Sequence, residues 1–180
     1  MPQMMSDKNI SKLKEAVDET PDVMGNHKEG LMALKASDRK LIIVPNSRKI
    51  GGSLDIDNTT KSLYPNDTRW DYAVEYDDEI FFIEVHPAST TKIDLMLSKL
   101  GWLKGWLKTK APRIDALKAK SKPPFHWVHT GSSKIIKGSK QYKQLATHKL
   151  LPVKVWNYES FRPASHCQPS EACSRGDSGH

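Results

Sequence analysis

In the stretch RWDYAVEYDDEIFFIEVHPAS, which begins at Arg69, two acids are set into successive apolar strands. No other feature constrains the fold as tightly. Trp70 to Tyr76 is rich in β-formers, Asp77-Asp78 is a two-residue turn, and Glu79 to Val85 is a second β-rich run, so the stretch predicts a hairpin. With that loop, Tyr76 faces Glu79 and facing residue numbers sum to 155. Asp71 then lies opposite Glu84 on one sheet face, where like charges are destabilising. His86, two residues on, projects from the same face. Two carboxylates and an imidazole at one spot predict a metal site. The rival is an ordinary hairpin with solvated acids. Against it, IFFIEV is apolar on both sides of Glu84, as in an inner strand.

At 180 residues the chain suits one domain with a proper core. We expect a flexible lead-in over 1–22, a single domain over 23–160 and a disordered tail over 161–180. The tail holds the only cysteines, Cys167 and Cys173, beside His166 and His180, but their spacing matches no paired zinc pattern. It is rich in Ser, Gly and Pro and has little to bury. No apolar run approaches the ~18 residues of a membrane span, and the first residues lack the apolar core of a secretory signal. The expectation is a cytoplasmic protein without membrane contact; a homodimer is compatible with it. The formal charge of +7 points to an acidic partner, nucleic acid first.

Along the chain, Ser11 to Val17 allows a short helix, and Asn26 to Arg39 predicts a longer one with Asn26 as its cap and Glu29 near its start. KLIIVPN and KIGGSLDIDNTT read as strands before the hairpin. After Pro87, Ile93, Met96, Leu97, Leu100 and Leu107 share one face of a long helix, which Thr91 and Asp94 open in the manner of a capping box. Gly101 and Gly105 would let that helix lie close on a sheet. Trp102 and Trp106 form a second ridge; core packing is favoured over stacking on bases. Phe125 to His129 predicts a strand, KQYKQLATHKL a short helix, and LPVKVWNY a last strand.

This order, with Asp71 in RWDY and the triplet Glu84-Val85-His86, resembles the PD-(D/E)XK nuclease superfamily. The resemblance spans about residues 25–131. It implies an α/β fold with an αβββαβ restriction-endonuclease-like core, a mixed sheet flanked by helices, and here a short C-terminal α-β extension. It places Asp71 as the first acid and Glu84-Val85-His86 at the acid-x-lysine triplet. Trp70 replaces the frequent proline, and His86 replaces the lysine that helps activate the attacking water.

The resemblance implies a metal-dependent endonuclease acting on DNA, with Mg2+ or Mn2+ as cofactor. Asp71, Glu84 and the Val85 carbonyl would supply oxygen ligands, as magnesium prefers. Glu29 is an outer-shell candidate, and Glu75 ranks below it. His86 has three readings: general base, ligand of a softer metal such as manganese, or a strand-end histidine with a structural hydrogen bond. Lys92, one turn into the next helix, is a candidate substitute for the missing lysine. Lys99, Lys104, Lys108, Lys137 and Lys140 are candidate nucleic-acid contacts. Two rivals stay open: a degenerate relative that binds nucleic acid or protein without cutting, and a nuclease that serves as a toxin or effector.

Overall fold

The computed structural model describes residues 10–161. The chain enters through α1 (Lys12–Asp18), capped by Ser11, whose Oγ accepts from the Lys14 N–H at 3.1 Å. Leu13, Ala16 and Val17 recur at helical spacing and are buried. The expected lead-in is therefore corrected: from Ser11 onward it is part of the core. The helix expected from Asn26 to Arg39 is also corrected. Gly25 and Gly30 take positive φ, 75° and 52°, which no helix continues through, and Lys28 pairs with Ser53 instead. Only α2 (Ala36–Arg39) is helical there.

After β1 (Ile42–Ile43) comes β2 (Ile50–Asp55), which ends where Asp55 turns to cap α3 (Ile56–Thr60) by accepting from the Asn58 N–H at 2.9 Å. The hairpin is β3 (Tyr72–Tyr76) and β4 (Glu79–Val85), and its pairs run from Tyr76↔Glu79 to Tyr72↔Ile83, the expected register. Asp77 and Asp78 both take positive φ, 51° and 65°, the backbone that suits a two-residue loop to strand twist. Lys49 and Lys12 hold them in ion pairs at 3.1 and 3.4 Å.

The long helix α4 (Ile93–Thr109) follows a 3-10 turn over Thr90–Lys92. Its start makes no side-chain cap, which corrects the capping box: the Thr91 hydroxyl is with Ser89 at 3.0 Å. A Cβ on Gly101 or Gly105 would meet nothing within 4 Å, so these glycines face outward, not onto the sheet. The stripe Ile93, Met96, Leu100, Leu103, Trp106 and Leu107 is buried instead. Trp106 is thus core, stacked on the half-buried Trp102 with ring centroids 5.9 Å apart. α5 (Pro112–Ala116) leads to β5 (Phe125–Val128), then to α6 (Lys140–Thr147) and β6 (Trp156–Asn157).

The main sheet has the order β2-β3-β4-β5, antiparallel except for the parallel pair β4-β5. Alternate residues cover its two faces. Leu54, Ala73, Ile80, Phe82 and Trp127 join one cluster with residues of α1, α4, α5 and α6. Tyr72, Val74, Tyr76, Phe81, Ile83 and Val128 join another with Leu34, Ile42 and Trp156. On that second side β1 and β6 form a separate two-stranded parallel sheet, so KLIIVPN is not a strand of the main one. Phe161 packs on His126 and Trp156, at ring distances of 4.3 and 5.9 Å, and belongs to the domain rather than to the tail. Cys167, Cys173 and the rest of that tail lie outside the described residues. Among those described, no helix is long and apolar enough to cross a membrane.

The molecule is thus α/β, with a mixed four-stranded sheet flanked by helices.

Candidate active site

Asp71 precedes the first residue of β3, just beyond the last ladder pair, and is held from three directions. Its carbonyl accepts from the Ile56 N–H at the start of α3, at 2.8 Å. Its N–H donates to Glu84 Oε2 at 2.9 Å, and its Oδ2 accepts from the Val85 N–H at 3.0 Å. Each acid therefore satisfies the backbone of the opposing strand where the ladder runs out. The Val85 carbonyl points to the same side of β4 as its N–H, towards Asp71.

Glu84 shares its sheet face with Ile80 and Phe82, under α4, and its side chain is 0% exposed. A charge there requires a partner. The partner is Lys99 of α4, whose Nζ bonds Glu84 Oε1 and stands 3.9 Å from Asp71 Oδ1. The lysine side chain is 14% exposed and that of Asp71 22%. Burial, reinforced by the Asp71 charge, pushes the Glu84 carboxyl up to about 8, against the pull of Lys99. Burial also raises Asp71, opposed by Lys99 and by the Val85 N–H. Fully ionised, one ammonium between two carboxylates would leave a net negative charge in a dry place, which is why Glu84 keeps its proton up to about 8. That imbalance, with an all-oxygen donor set of Asp71, Glu84 and the Val85 carbonyl, fits a hard divalent cation. Lys99 already marks a point from which a positive charge reaches both acids.

His86 does not join them. Its Nδ1 lies 3.2 Å from the Pro87 carbonyl, and among the described residues no three of His, Cys, Asp and Glu gather closely enough to hold a metal. The strand has ended by His86, so the alternation that would aim the ring at Glu84 no longer applies. Its backbone is fixed on both sides: the N–H donates to the Val128 carbonyl at 3.1 Å, and its carbonyl accepts from Trp127 Nε1 at 2.9 Å. Lys92 is half-buried in the 3-10 turn and makes no ion pair among the described residues. The lysine that reaches the acids is Lys99, assigned from sequence to nucleic-acid contact.

Glu29 is exposed at the other end of β3. With Glu75, Asp77 and Asp78 it lines an open cleft of about 770 Å³, so it is no outer-shell acid here. Glu75, 2% exposed, anchors the start of α1 to the sheet. It accepts from Ser11 Oγ and from the N–H groups of Lys12 and Leu13, the latter two at 3.0 Å. Lys104 lies over the Phe125 ring at 5.3 Å, while Lys108, Lys137 and Lys140 are exposed.

Comparison of the chain with protein-family models, with curated proteins and with solved structures finds no match.

Proposed function

We propose that this protein is a metal-dependent nuclease that hydrolyses phosphodiester bonds in nucleic acid, with DNA the expected substrate. The carrying observation is Lys99, which stands at Glu84 although the triplet Glu84-Val85-His86 lacks a lysine of its own. Two acids and a lysine, gathered at the ends of two antiparallel strands and beneath the following helix, resemble the PD-(D/E)XK constellation, with the lysine coming from the helix instead of the strand. The resemblance in motif and element order supports the same reading.

Asp71, Glu84 and the Val85 carbonyl would hold Mg2+ or Mn2+. Such an ion, when bound, supplies Lewis acidity and a water of lowered pKa. The two carboxylates are kept at fixed spacing by the backbone N–H groups they accept from, so the group that must move on binding is Lys99, not the acids. Lys99 orients the attacking water and offsets negative charge as it builds on the phosphate. His86 and Lys92 have no part in this scheme.

The test is nicking of supercoiled DNA with magnesium or manganese. Wild type should cut, and Asp71→Asn and Lys99→Ala should each lose on the order of 10²–10³-fold, the worth of a placed electrostatic group. His86→Ala and Lys92→Ala should cut as wild type does. If folded wild type cleaves neither DNA nor RNA with either metal, the reading fails and a binding-only protein takes its place.

A further inference from the structure

We propose that the segment from Lys134 to Lys154 is a surface that tracks the phosphate backbone of a nucleic acid, with Ile136 as an apolar contact near its start. The nuclease reading supplies only the identity of the polyanion; the surface itself stands on charge and placement.

The charge of this chain is not evenly spread. Of its 28 basic and 21 acidic residues, nine lysines and no acid fall within residues 116–158. The rest of the chain holds 19 basic residues against 21 acids, so all of the net positive charge lies in this one stretch. Two of its three early lysines are engaged. Lys118 pairs with Asp115 at 3.0 Å, and Lys122 donates to the carbonyls of Tyr158 and Phe161 at 2.7 and 2.8 Å. From Lys134 onward the pattern changes. Lys134, Lys137, Lys140, Lys143, Lys149 and Lys154 are all exposed, and none has a carboxylate within ion-pair reach among the described residues. Six like charges on about twenty residues repel one another, a cost that a bound polyanion removes.

The fold sets this segment beside the acids. β4 and β5 are parallel, so their carboxyl ends lie at the same edge of the sheet, where Glu84 and Val85 end one and Val128 the other. The Lys134 N–H donates to the Ala88 carbonyl at 2.9 Å, which ties the start of the segment two residues past His86. The His129 N–H donates to the Val153 carbonyl at 2.9 Å, which returns its end, at Lys154, to the same edge. Between these ties, Leu145 of α6 and Leu150 pack in one cluster with Ala88 and Ile93, the residues leading from the site into α4. Both ends of the lysine segment are therefore tied to the sheet edge at which Glu84 and Val85 lie. Ile136 is 73% exposed, the most exposed large apolar side chain described, and sits between Lys134 and Lys137. An apolar side chain among phosphate-binding lysines suits contact with sugars or base edges in a groove.

The assay is fluorescence anisotropy with the full chain in EDTA, where nothing is cut, over a series of salt concentrations. Probes are duplex DNA, single-stranded DNA and duplex RNA, and polyglutamate and anionic phospholipid vesicles are competitors. Wild type should bind a nucleic acid with a steep salt dependence. Replacing Lys134, Lys137, Lys140 and Lys143 together by Gln should flatten the log–log slope by roughly 2–4, at ~0.9 per phosphate contact. Lys12→Gln with Lys49→Gln, which pair with the hairpin-turn acids at the other end of β3, should leave it unchanged. Ile136→Ser should weaken binding without altering the slope, since it carries no charge. The proposal is overturned if the fourfold variant keeps the wild-type slope, if no nucleic acid binds, or if polyglutamate or vesicles compete as well as the probe. A protein that cuts DNA with an unmoved slope sinks this surface alone. One that binds through these lysines and never cuts sinks the hydrolytic reading alone.

Discussion

Replacing Glu84 by Gln isolates the proton that the buried cluster takes up. The carboxyl has an ordinary value of 4.5 and is pushed up to about 8 in the fold, chiefly by burial and next by Asp71. Its folded value lies above its unfolded one, so the native state binds the extra proton. The stability this contributes is complete below about 4.5 and is lost as pH rises towards 8. Glutamine matches the neutral acid in shape and keeps an acceptor for the Asp71 N–H, but has nothing to ionise. Urea unfolding of both proteins without divalent ions, between pH 5 and 8, gives the difference in stability. The variant should gain on wild type by at most ~1.4 kcal/mol per pH unit, for a total of roughly 3–4 kcal/mol between pH 5 and 8. Taking the difference cancels groups that titrate alike in both, including the buried His126, held down to about 4 by burial. Parallel stability curves would refute the reasoning. So would a wild type that gains on the variant as pH rises, because Lys99 would then be holding Glu84 ionised throughout.

Lys99→Ala strips the counter-charge from two largely buried acids and should cost ~3–5 kcal/mol at pH 8, and less at pH 5 where Glu84 holds its proton; urea unfolding at the two pH values checks it. Gly101→Ala and Gly105→Ala should each stabilise by ~0.8–1 kcal/mol, read as a higher melting temperature, because both lie inside a helix with open space above them. Glu75→Ala leaves the Lys12 and Leu13 N–H groups without their acceptor and should cost ~1–3 kcal/mol, with hydrogen exchange quickened first in α1. A chain ending at Phe161 should melt within a few degrees of the full chain; a large drop would show that Cys167 and Cys173 take part in the fold.

The hairpin is legible because a two-residue turn and alternating apolar residues leave one register, and Asp71 opposite Glu84 follows from arithmetic. The helix from Asn26 is not, because polar residues with scattered Leu and Met satisfy a helical pattern loosely. The positive φ at Gly25 and Gly30 comes from pairing Lys28 with Ser53, a long-range contact that no local pattern encodes. The sequence ranks Glu29 above Glu75 as an outer-shell acid, and the fold sets both at the other end of β3 for a similar reason. What decides their roles is where α1 docks, and α1 lies more than sixty residues before the anchoring acid. Lys99 does leave a signal in the sequence. Met96, Leu103 and Trp106 lie three before, four after and seven after it, so it stands in the buried stripe of α4. A lysine on an apolar helix face, in a helix that follows a strand with a buried acid, is a candidate partner for that acid. The equally apolar stripe through Leu97 and Leu100 masks it.

Diffraction from crystals soaked in manganese, with the anomalous signal locating the ion, tests the central claim most directly. The account predicts one manganese peak between the Asp71 and Glu84 carboxylates, within bonding distance of the Val85 carbonyl, with Lys99 Nζ withdrawn from Glu84 to the edge of the ion's water shell. Lys99 still bonded to Glu84, with no anomalous density between the acids at saturating manganese, would contradict it.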